Sequence, residues 1–194
     1  MKTRQVILIS GHSFTVPQGI QRIDTRATHG WQVRYHGTKF FADGSSDGSG
    51  AHKSLAAATK ELLHRIATLP APVVLQKAPS ANKSSDLPPG ISGPILVPPR
   101  RRSNTRSAVL SVLLPRFGQE PRVKSIYIGT ERTYSNQRFE VALAKAIEIR
   151  AVVVKKYEET ATRCKRKQAL VLKASLREAR KAAAGGLKMA VNLG

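Results

Sequence analysis

The sequence has few acidic residues, few aromatic residues and one cysteine. Its 12 Asp and Glu stand against 33 Lys and Arg, which gives a net charge of +21. A surplus this large repels itself in a compact chain, and it is usually retained because a polyanion neutralises it, most often nucleic acid or an anionic membrane. The aromatic content of 5% predicts a small, aliphatic core. The single Cys164 excludes an internal disulfide framework and fits a reducing cytosol.

Other features that define common protein classes are also absent from the sequence. It has no apolar run of about 18 residues, the length that a membrane span needs. The apolar run Val6–Ile9 is too short for a signal peptide, so we expect none. We therefore expect a cytoplasmic, nucleoid-associated protein that does not bind membranes. The five His residues lack the spacing of a metal site, and "DGSSDGSG" lacks the Lys of a nucleotide-binding loop and the final Glu of a calcium loop. We expect no catalysis, metal or cofactor.

Proline is concentrated in one part of the chain. Residues 70–99 hold eight of the 11 prolines, and "RRRSNTR" follows. Such a segment disfavours helices and central strands, so it indicates a semi-extended linker. The predicted organisation is a first domain over 1–69, a basic linker over 70–106, a second domain over 107–157 and a basic helical tail over 158–194.

The first domain shows three short strands before a helix. "GIQRIDT" (Gly19–Thr25) and "WQVRY" (Trp31–Tyr35) alternate with period two, and "KFF" follows a Gly37-Thr38 turn. From Ser54, Leu55, Ala58 and Leu62 form the apolar stripe of an amphipathic helix. We expect this stripe to cover the sheet face that carries Trp31 and Val33, which leaves the other face open.

The second domain is predicted to repeat this order. "SAVLSVLL" is a strand stopped by Pro115, "VKSIYI" is the next strand, and "ERTY" (Glu131–Tyr134) is the third. Asn136 is the predicted N-cap of a helix. "YHGT" (Tyr35–Thr38) and "YIGT" (Tyr127–Thr130) are then interpreted as the same hairpin turn in two copies of one unit.

Strong helix formers dominate the end of the sequence. No Gly or Pro occurs between Arg138 and Gly185, which predicts one long helix, or two with a break, and a loose end after Gly185-Gly186. Ala142, Ala146, Ile149, Val153 and Tyr157 lie at near-heptad spacing. This stripe is compatible either with a homodimer through the C-terminal helix or with packing on the second sheet.

The first domain resembles the AP2-type DNA-binding domains of bacterial and phage proteins. The resemblance rests on the Gly-Ile-x-Arg-Ile strand, the Trp-x-Val-Arg strand and the Ala-rich helix within residues 18–68, and a more diverged copy covers 107–154. It implies an α+β fold, with two small units of three-stranded antiparallel sheet on one helix (AP2-like), joined by the Pro-rich linker. It also implies a sheet that lies in the major groove of DNA.

Arg22, Gln32, Arg34 and His36 are the predicted base contacts, because they are expected on the open sheet face and can donate to base edges. Lys and Arg elsewhere are the predicted phosphate contacts: Arg26, Lys39, Arg100, Arg101, Arg102, Arg116, Arg122, Lys124, Arg132, Arg163, Lys165, Arg166 and Lys167. The predicted function is a non-catalytic, double-stranded DNA-binding protein, such as a bacterial, phage or mobile-element transcriptional regulator. Two alternatives stay open: an RNA-binding or ribosome-associated protein, and an architectural DNA-binding factor that acts with a partner protein through its C-terminal helix.

Overall fold

The protein has an α+β fold. The computed structural model describes residues 1–45, 47–79, 85–99 and 104–191. Within these ranges it contains three small antiparallel sheets and two helices. The chain divides into two compact units, of which the first combines Met1–Pro72 with Thr162–Gly194 and the second is Val73–Ala161.

The elements follow one another with short connections. A hairpin of β1 (Thr3–Ile7) and β2 (Ser13–Pro17) comes first, then a sheet of β3 (Ile20–Asp24), β4 (His29–Arg34) and β5 (Thr38–Ala42), and then α1 (Ala51–Thr68). The sheet of the second unit, called the second sheet from here on, contains β6 (Ile91–Val97), β7 (Ser107–Arg116) and β8 (Gln119–Thr130). The helix α2 (Asn136–Val191) ends the described chain.

One hydrophobic core holds the first unit together. The predicted core residues Trp31 and Val33 and the stripe residues Ala58 and Leu62 are all fully buried in it. Trp31 Nε1 also donates a hydrogen bond of 2.9 Å to the carbonyl of Ala51, in the first turn of α1. The Trp indole therefore joins sheet to helix both by packing and by a satisfied polar group.

The β1–β2 hairpin is an element that the sequence patterns did not predict. Its residue Val16 is fully buried in the first core, and Leu8, just after β1, is 5% exposed. Phe14 packs edge-on against Trp31, with ring centroids 5.7 Å apart. The hairpin therefore completes a core that the β3–β5 sheet and α1 share.

The third strand of the second sheet is not the predicted one. Glu131–Tyr134 forms a turn, in which the backbone N–H of Tyr134 donates 2.8 Å to the carbonyl of Thr130. The third strand is instead β6, which lies inside the predicted linker and pairs with β7 at the edge of the sheet. Pro94 is tolerated there because it sits in a register shift of an edge strand. Pro115 likewise does not end β7, which continues to Arg116.

The two Tyr-x-Gly-Thr motifs are not equivalent in the structure. Tyr35–Gly37 turns the chain between β4 and β5, whereas Tyr127–Thr130 is the end of strand β8. The interpretation of both motifs as one repeated turn is therefore wrong. What recurs is the order of elements, since each unit contains a meander of three antiparallel strands followed by a helix.

Helix α2 is one continuous helix of 56 residues. Ser135, and not the predicted Asn136, precedes its first turn as the cap, since the N–H of Arg138 donates 3.3 Å to Ser135 Oγ. The predicted loose end after Gly185-Gly186 is wrong, because α2 continues to Val191.

The near-heptad stripe on α2 packs mainly on the second sheet. Ala142 and Ala146 are buried in the second core, with Ile149 packed against it. Tyr157 contacts the ring of Phe117 at a centroid distance of 5.7 Å. These four residues are thus used within the unit, which removes the reason to assign them to a dimer.

Candidate nucleic-acid interface

The β3–β5 sheet has a polar face on the side away from the core. The strand register pairs Gln32 with Gln21 and Phe40, and it pairs Arg34 with Thr38. Directly paired residues of antiparallel strands point to the same side of a sheet, and this side is opposite to Trp31 and Val33. We call these five residues the open face: Gln21, Gln32, Arg34, Thr38 and Phe40.

Arg34 and Gln32 form a hydrogen-bonded pair on the open face. Arg34 Nε donates 2.7 Å to Gln32 Oε1, and Arg34 is exposed. The two Nη groups of the guanidinium, which point away from Nε, are the ones that could contact a base. The backbone N–H of Arg34 donates 2.8 Å to the carbonyl of Gly19, and the neighbouring Val33 is fully buried. The position of Arg34 is therefore set by both packing and the strand ladder.

Phe40 is a residue of this face that the sequence analysis did not assign. Its side chain is 38% exposed, and a Cβ added at Gly30 would lie 2.6 Å from its Cζ. The ring therefore occupies the space above Gly30, next to Gln32. The signal in the sequence was the Phe40-Phe41 pair, because neighbouring strand residues point to opposite sides and one ring must face away from the core.

Arg22 does not lie on the open face, contrary to the prediction. It pairs with Trp31 in the register, and its guanidinium stacks on the Trp31 ring, 5.0 Å from the centroid. Its side chain is 9% exposed and lies 2.7 Å from both Asp24 Oδ1 and Asp43 Oδ2. Arg22 therefore pairs with two carboxylates inside the unit, and its guanidinium is too buried to reach a base.

The electrostatics of this cluster keep Arg22 charged. Burial alone would lower the pKa of the Arg22 guanidinium, but its hydrogen bonds and charge interactions with Asp24 and Asp43 outweigh burial and raise it. The hydrogen bond from Arg22 holds the pKa of the Asp24 carboxyl below its ordinary value, with a smaller contribution from His29. Ser54 Oγ also donates to Asp43 at 2.5 Å, which connects the cluster to α1.

His36 also lies off the open face. It occupies the β4–β5 turn with a φ of 48°, and its Nε2 is 2.7 Å from the carbonyl oxygen of Pro70. Tyr35 Oη donates 3.0 Å to the same carbonyl, and Arg65 of α1 donates 3.0 Å to the Tyr35 carbonyl. The turn is thus held in place at the end of Arg34's strand. Of the four predicted base contacts, the structure brings only Gln32 and Arg34 together.

Two predicted phosphate contacts belong to the β3–β5 sheet and its loops. Arg26 is exposed in the β3–β4 loop. Lys39 lies on the helix side of the sheet, because it pairs with Val33, and its Nζ is 3.4 Å from Glu61 Oε2. Arg26 is therefore free to approach a polyanion from the loop, while Lys39 is engaged with a carboxylate.

The remaining predicted phosphate contacts are distributed over both units. Exposed basic side chains of the second unit are Arg116, Arg122, Lys124 and Arg132, and those of α2 in the first unit are Arg163, Arg166 and Lys167. Lys165 is half-buried, and this burial lowers its pKa. Arg100, Arg101 and Arg102 lie outside the described residues.

The outer face of the second sheet differs from the open face in its chemistry. Val109 pairs with Tyr127, Ser111 with Ser125, and Leu113 with Val123. Tyr127 and Val123 are more than half exposed. These six described residues include no cation, so none of them is an equivalent of Arg34.

Known proteins offer no identification. No protein-family model matches the chain, and no curated protein and no solved structure is significantly similar to it. The described residues contain no cluster of three or more His, Cys, Asp or Glu that could hold a metal ion. Among the described helices, none combines the length and the apolar character that crossing a membrane requires.

Proposed function

We propose that this protein binds double-stranded DNA without catalysing a reaction, and that the open face of the β3–β5 sheet enters the major groove. The Arg34–Gln32 pair on a fixed strand carries this proposal. Arg and Gln are side chains that recognise guanine and adenine edges in that groove. In this proposal the first unit acts as an AP2-like module, with its helix behind the sheet.

The dimensions of the sheet support this mode of binding. Neighbouring strands lie about 4.8 Å apart, so three strands span about 10 Å between the outer strand axes. The major groove of B-form DNA is about 12 Å wide. A three-stranded sheet with short loops can therefore enter it face-on or edgewise, whereas the narrow, deep major groove of an RNA helix excludes it.

The charge of the chain supports a polyanionic partner. With a net charge of +21, the exposed cations outside the open face, such as Arg26, Arg163 and Lys167, are suited to phosphates. Such contacts increase affinity for every sequence, whereas Arg34, positioned by Gln32, would distinguish sequences. A transcriptional regulator of bacterial, phage or mobile-element origin fits this division of roles.

A competition experiment tests the proposal. Labelled duplex DNA is competed with unlabelled duplex DNA, single-stranded DNA and structured RNA of equal length, over a range of salt concentrations. We expect duplex DNA to compete best, and a slope of log K against log salt of about −5 to −7 if six to eight phosphates are neutralised. Stronger competition by RNA would favour the alternative of an RNA-binding or ribosome-associated protein. A slope flatter than about −2 would contradict a phosphate-dominated interface.

A further inference from the structure

A groove lies between strand β8 and the first turns of α2, in the second unit and apart from the open face. Its volume is about 640 Å³, and Lys124, Ile126 and Tyr127 of β8 line one wall. Arg138, Val141 and Lys145 of α2 line the other. We call it the β8–α2 groove. It is large enough for several side chains of a ligand.

Strand β8 offers backbone hydrogen-bonding groups along this groove. β8 has 12 residues, and it is the edge strand of the order β6-β7-β8. In the part of the chain that the structure describes, no strand pairs with its other side. A long, unpaired edge presents a row of N–H and C=O groups that another extended chain can bind.

The side chains of the groove combine positive charge with an apolar floor. Lys124, Arg138 and Lys145 are exposed, and no carboxylate belongs to the lining. None of the ion pairs formed by the described residues involves these three cations. The floor contains Ile126, which is 7% exposed, and Ala142, which is 5% exposed.

This combination favours a peptide over a nucleic acid. A phosphodiester backbone would use the cations and could accept hydrogen bonds from the N–H groups of the edge. It has no donors for the C=O groups of the edge and no alternating apolar groups for the floor. An extended peptide can pair with the edge of β8 as an added strand, and it can also point every second side chain into the groove. The three cations would then select carboxylates among its side chains.

We propose that the β8–α2 groove binds an extended acidic segment of a partner protein, which pairs with the free edge of β8. This inference does not rest on the proposed function, because the groove lies in the second unit and Arg34 in the first. The two share one residue, since Lys124 of the groove is also a predicted phosphate contact. The two are also tested by different ligands. It would give a DNA-binding protein a means to recruit an acidic partner.

A peptide of ten alternating Glu and Val residues, labelled with a fluorophore, is the probe. Polarisation is measured at physiological salt, so that diffuse attraction to the basic chain is screened. The comparison peptide has the same sequence with N-methyl groups on alternate backbone nitrogens, which preserves the charge and removes the strand-pairing donors. We expect the N-methylated peptide to bind about tenfold more weakly or worse, as loss of one or two backbone hydrogen bonds predicts.

Two charge-reversal variants locate the binding site. Lys124→Glu with Arg138→Glu changes the groove, and Lys155→Glu with Lys156→Glu makes the same change in net charge at exposed positions further along α2. We expect about tenfold weaker peptide binding for the groove variant and less than about twofold for the control. Circular dichroism checks the fold, and Lys145→Glu replaces the groove variant if that variant does not fold.

Three results would overturn the proposal. Equal binding of the two peptides would show that charge alone attracts them, and equal losses in the groove and control variants would show that the site is elsewhere. If duplex DNA binding fell about tenfold in the groove variant but not in the control, nucleic acid would be the occupant of the groove.

Discussion

Replacing Arg34 by Ala tests the open face most directly. Arg34 is exposed, and its only described side-chain hydrogen bond is the one of 2.7 Å from its Nε to Gln32. Its backbone is held by the hydrogen bond to Gly19 and by the burial of Val33. Because a surface substitution of this kind changes stability by about 0.5 kcal/mol or less, Arg34→Ala should fold normally and affect recognition alone.

The expected magnitude follows from the geometry of the guanidinium. While Nε of Arg34 donates its hydrogen bond to Gln32, the two Nη groups can make one bidentate contact with guanine. Such a contact is worth about 1–3 kcal/mol of discrimination against other bases. At about 1.4 kcal/mol per factor of ten, Arg34→Ala should reduce the preference for the selected site by about 5–150-fold. Arg34→Lys should restore only part of it, because an ammonium lacks the planar fork.

Gln32→Ala extends the test to the positioning of Arg34. This change leaves the guanidinium in place but removes the acceptor of its Nε, so we expect a smaller loss of preference, up to about tenfold, from one exposed hydrogen bond. The double variant should lose little more than Arg34→Ala alone, since both side chains act on one contact. Additive losses would mean that Gln32 reads a base independently.

The assay selects a duplex from a random library and then compares its affinity with that of a scrambled duplex. Arg26→Ala is the matched control, because it removes the same charge from an exposed loop of the same sheet. It should weaken binding to both duplexes equally. If Arg34→Ala also lowers both affinities by one factor, Arg34 contacts a phosphate. If it lowers neither, the open face is not the DNA surface, and the proposed mode of binding is refuted.

Three further predictions concern the first unit. Asp43→Asn should lower the free energy of unfolding by about 3 kcal/mol, measured by urea denaturation, because it breaks an ion pair with the nearly buried Arg22; a loss below about 1 kcal/mol would contradict this. Gly30→Ala should cost about 1–3 kcal/mol by overpacking, since its Cβ would meet the Phe41 carbonyl oxygen, and a neutral result would mean that β5 shifts freely. The pKa of the Asp24 carboxyl is lowered in the folded protein from its ordinary value of 3.8, so its contribution to stability is complete above pH 3.8 and is lost as the pH falls through the pKa of the folded state. Asp24→Asn should therefore make the free energy of unfolding less dependent on pH in this range. If the dependence on pH is the same in the variant, this contribution of Asp24 is excluded.

The part of the fold that could be predicted from sequence depended on clear local patterns. The alternation in Trp31–Tyr35 is unambiguous, and it placed Val33 in the core and Arg34 on the opposite face. In β3 the apolar residues Ile20 and Ile23 are three apart, so a strand places them on opposite faces and the pattern does not indicate which face of β3 is buried. The pairing of Arg22 with Trp31, which is a long-range feature, decides which face Arg22 occupies.

The second unit was less predictable because one of its three strands, β6, contains a proline. Pro94 inside β6 argues against a strand when the sequence is read alone. It is compatible with one only because β6 lies at the edge and pairs with β7, a fact that depends on the tertiary structure. Without β6, the residues after Thr130 were the available candidates for the third strand of this sheet. In the structure, the hydrogen bond from the backbone N–H of Tyr134 to the carbonyl of Thr130 closes a turn there instead.

The first unit is assembled from two separate stretches of chain, and this has a consequence for its biosynthesis. Ala169 of α2 is buried in the same core as Trp31, and Arg166 donates 3.4 Å to the carbonyl of Ile66. Translation at about 5–20 residues per second needs roughly 5–20 s to pass through Val73–Ala161, which separate the two stretches. During that interval the nascent first unit lacks its second stretch, which begins at Thr162, while all residues of the second unit are translated. On the ribosome, the domain that is translated first is therefore the one that is completed last.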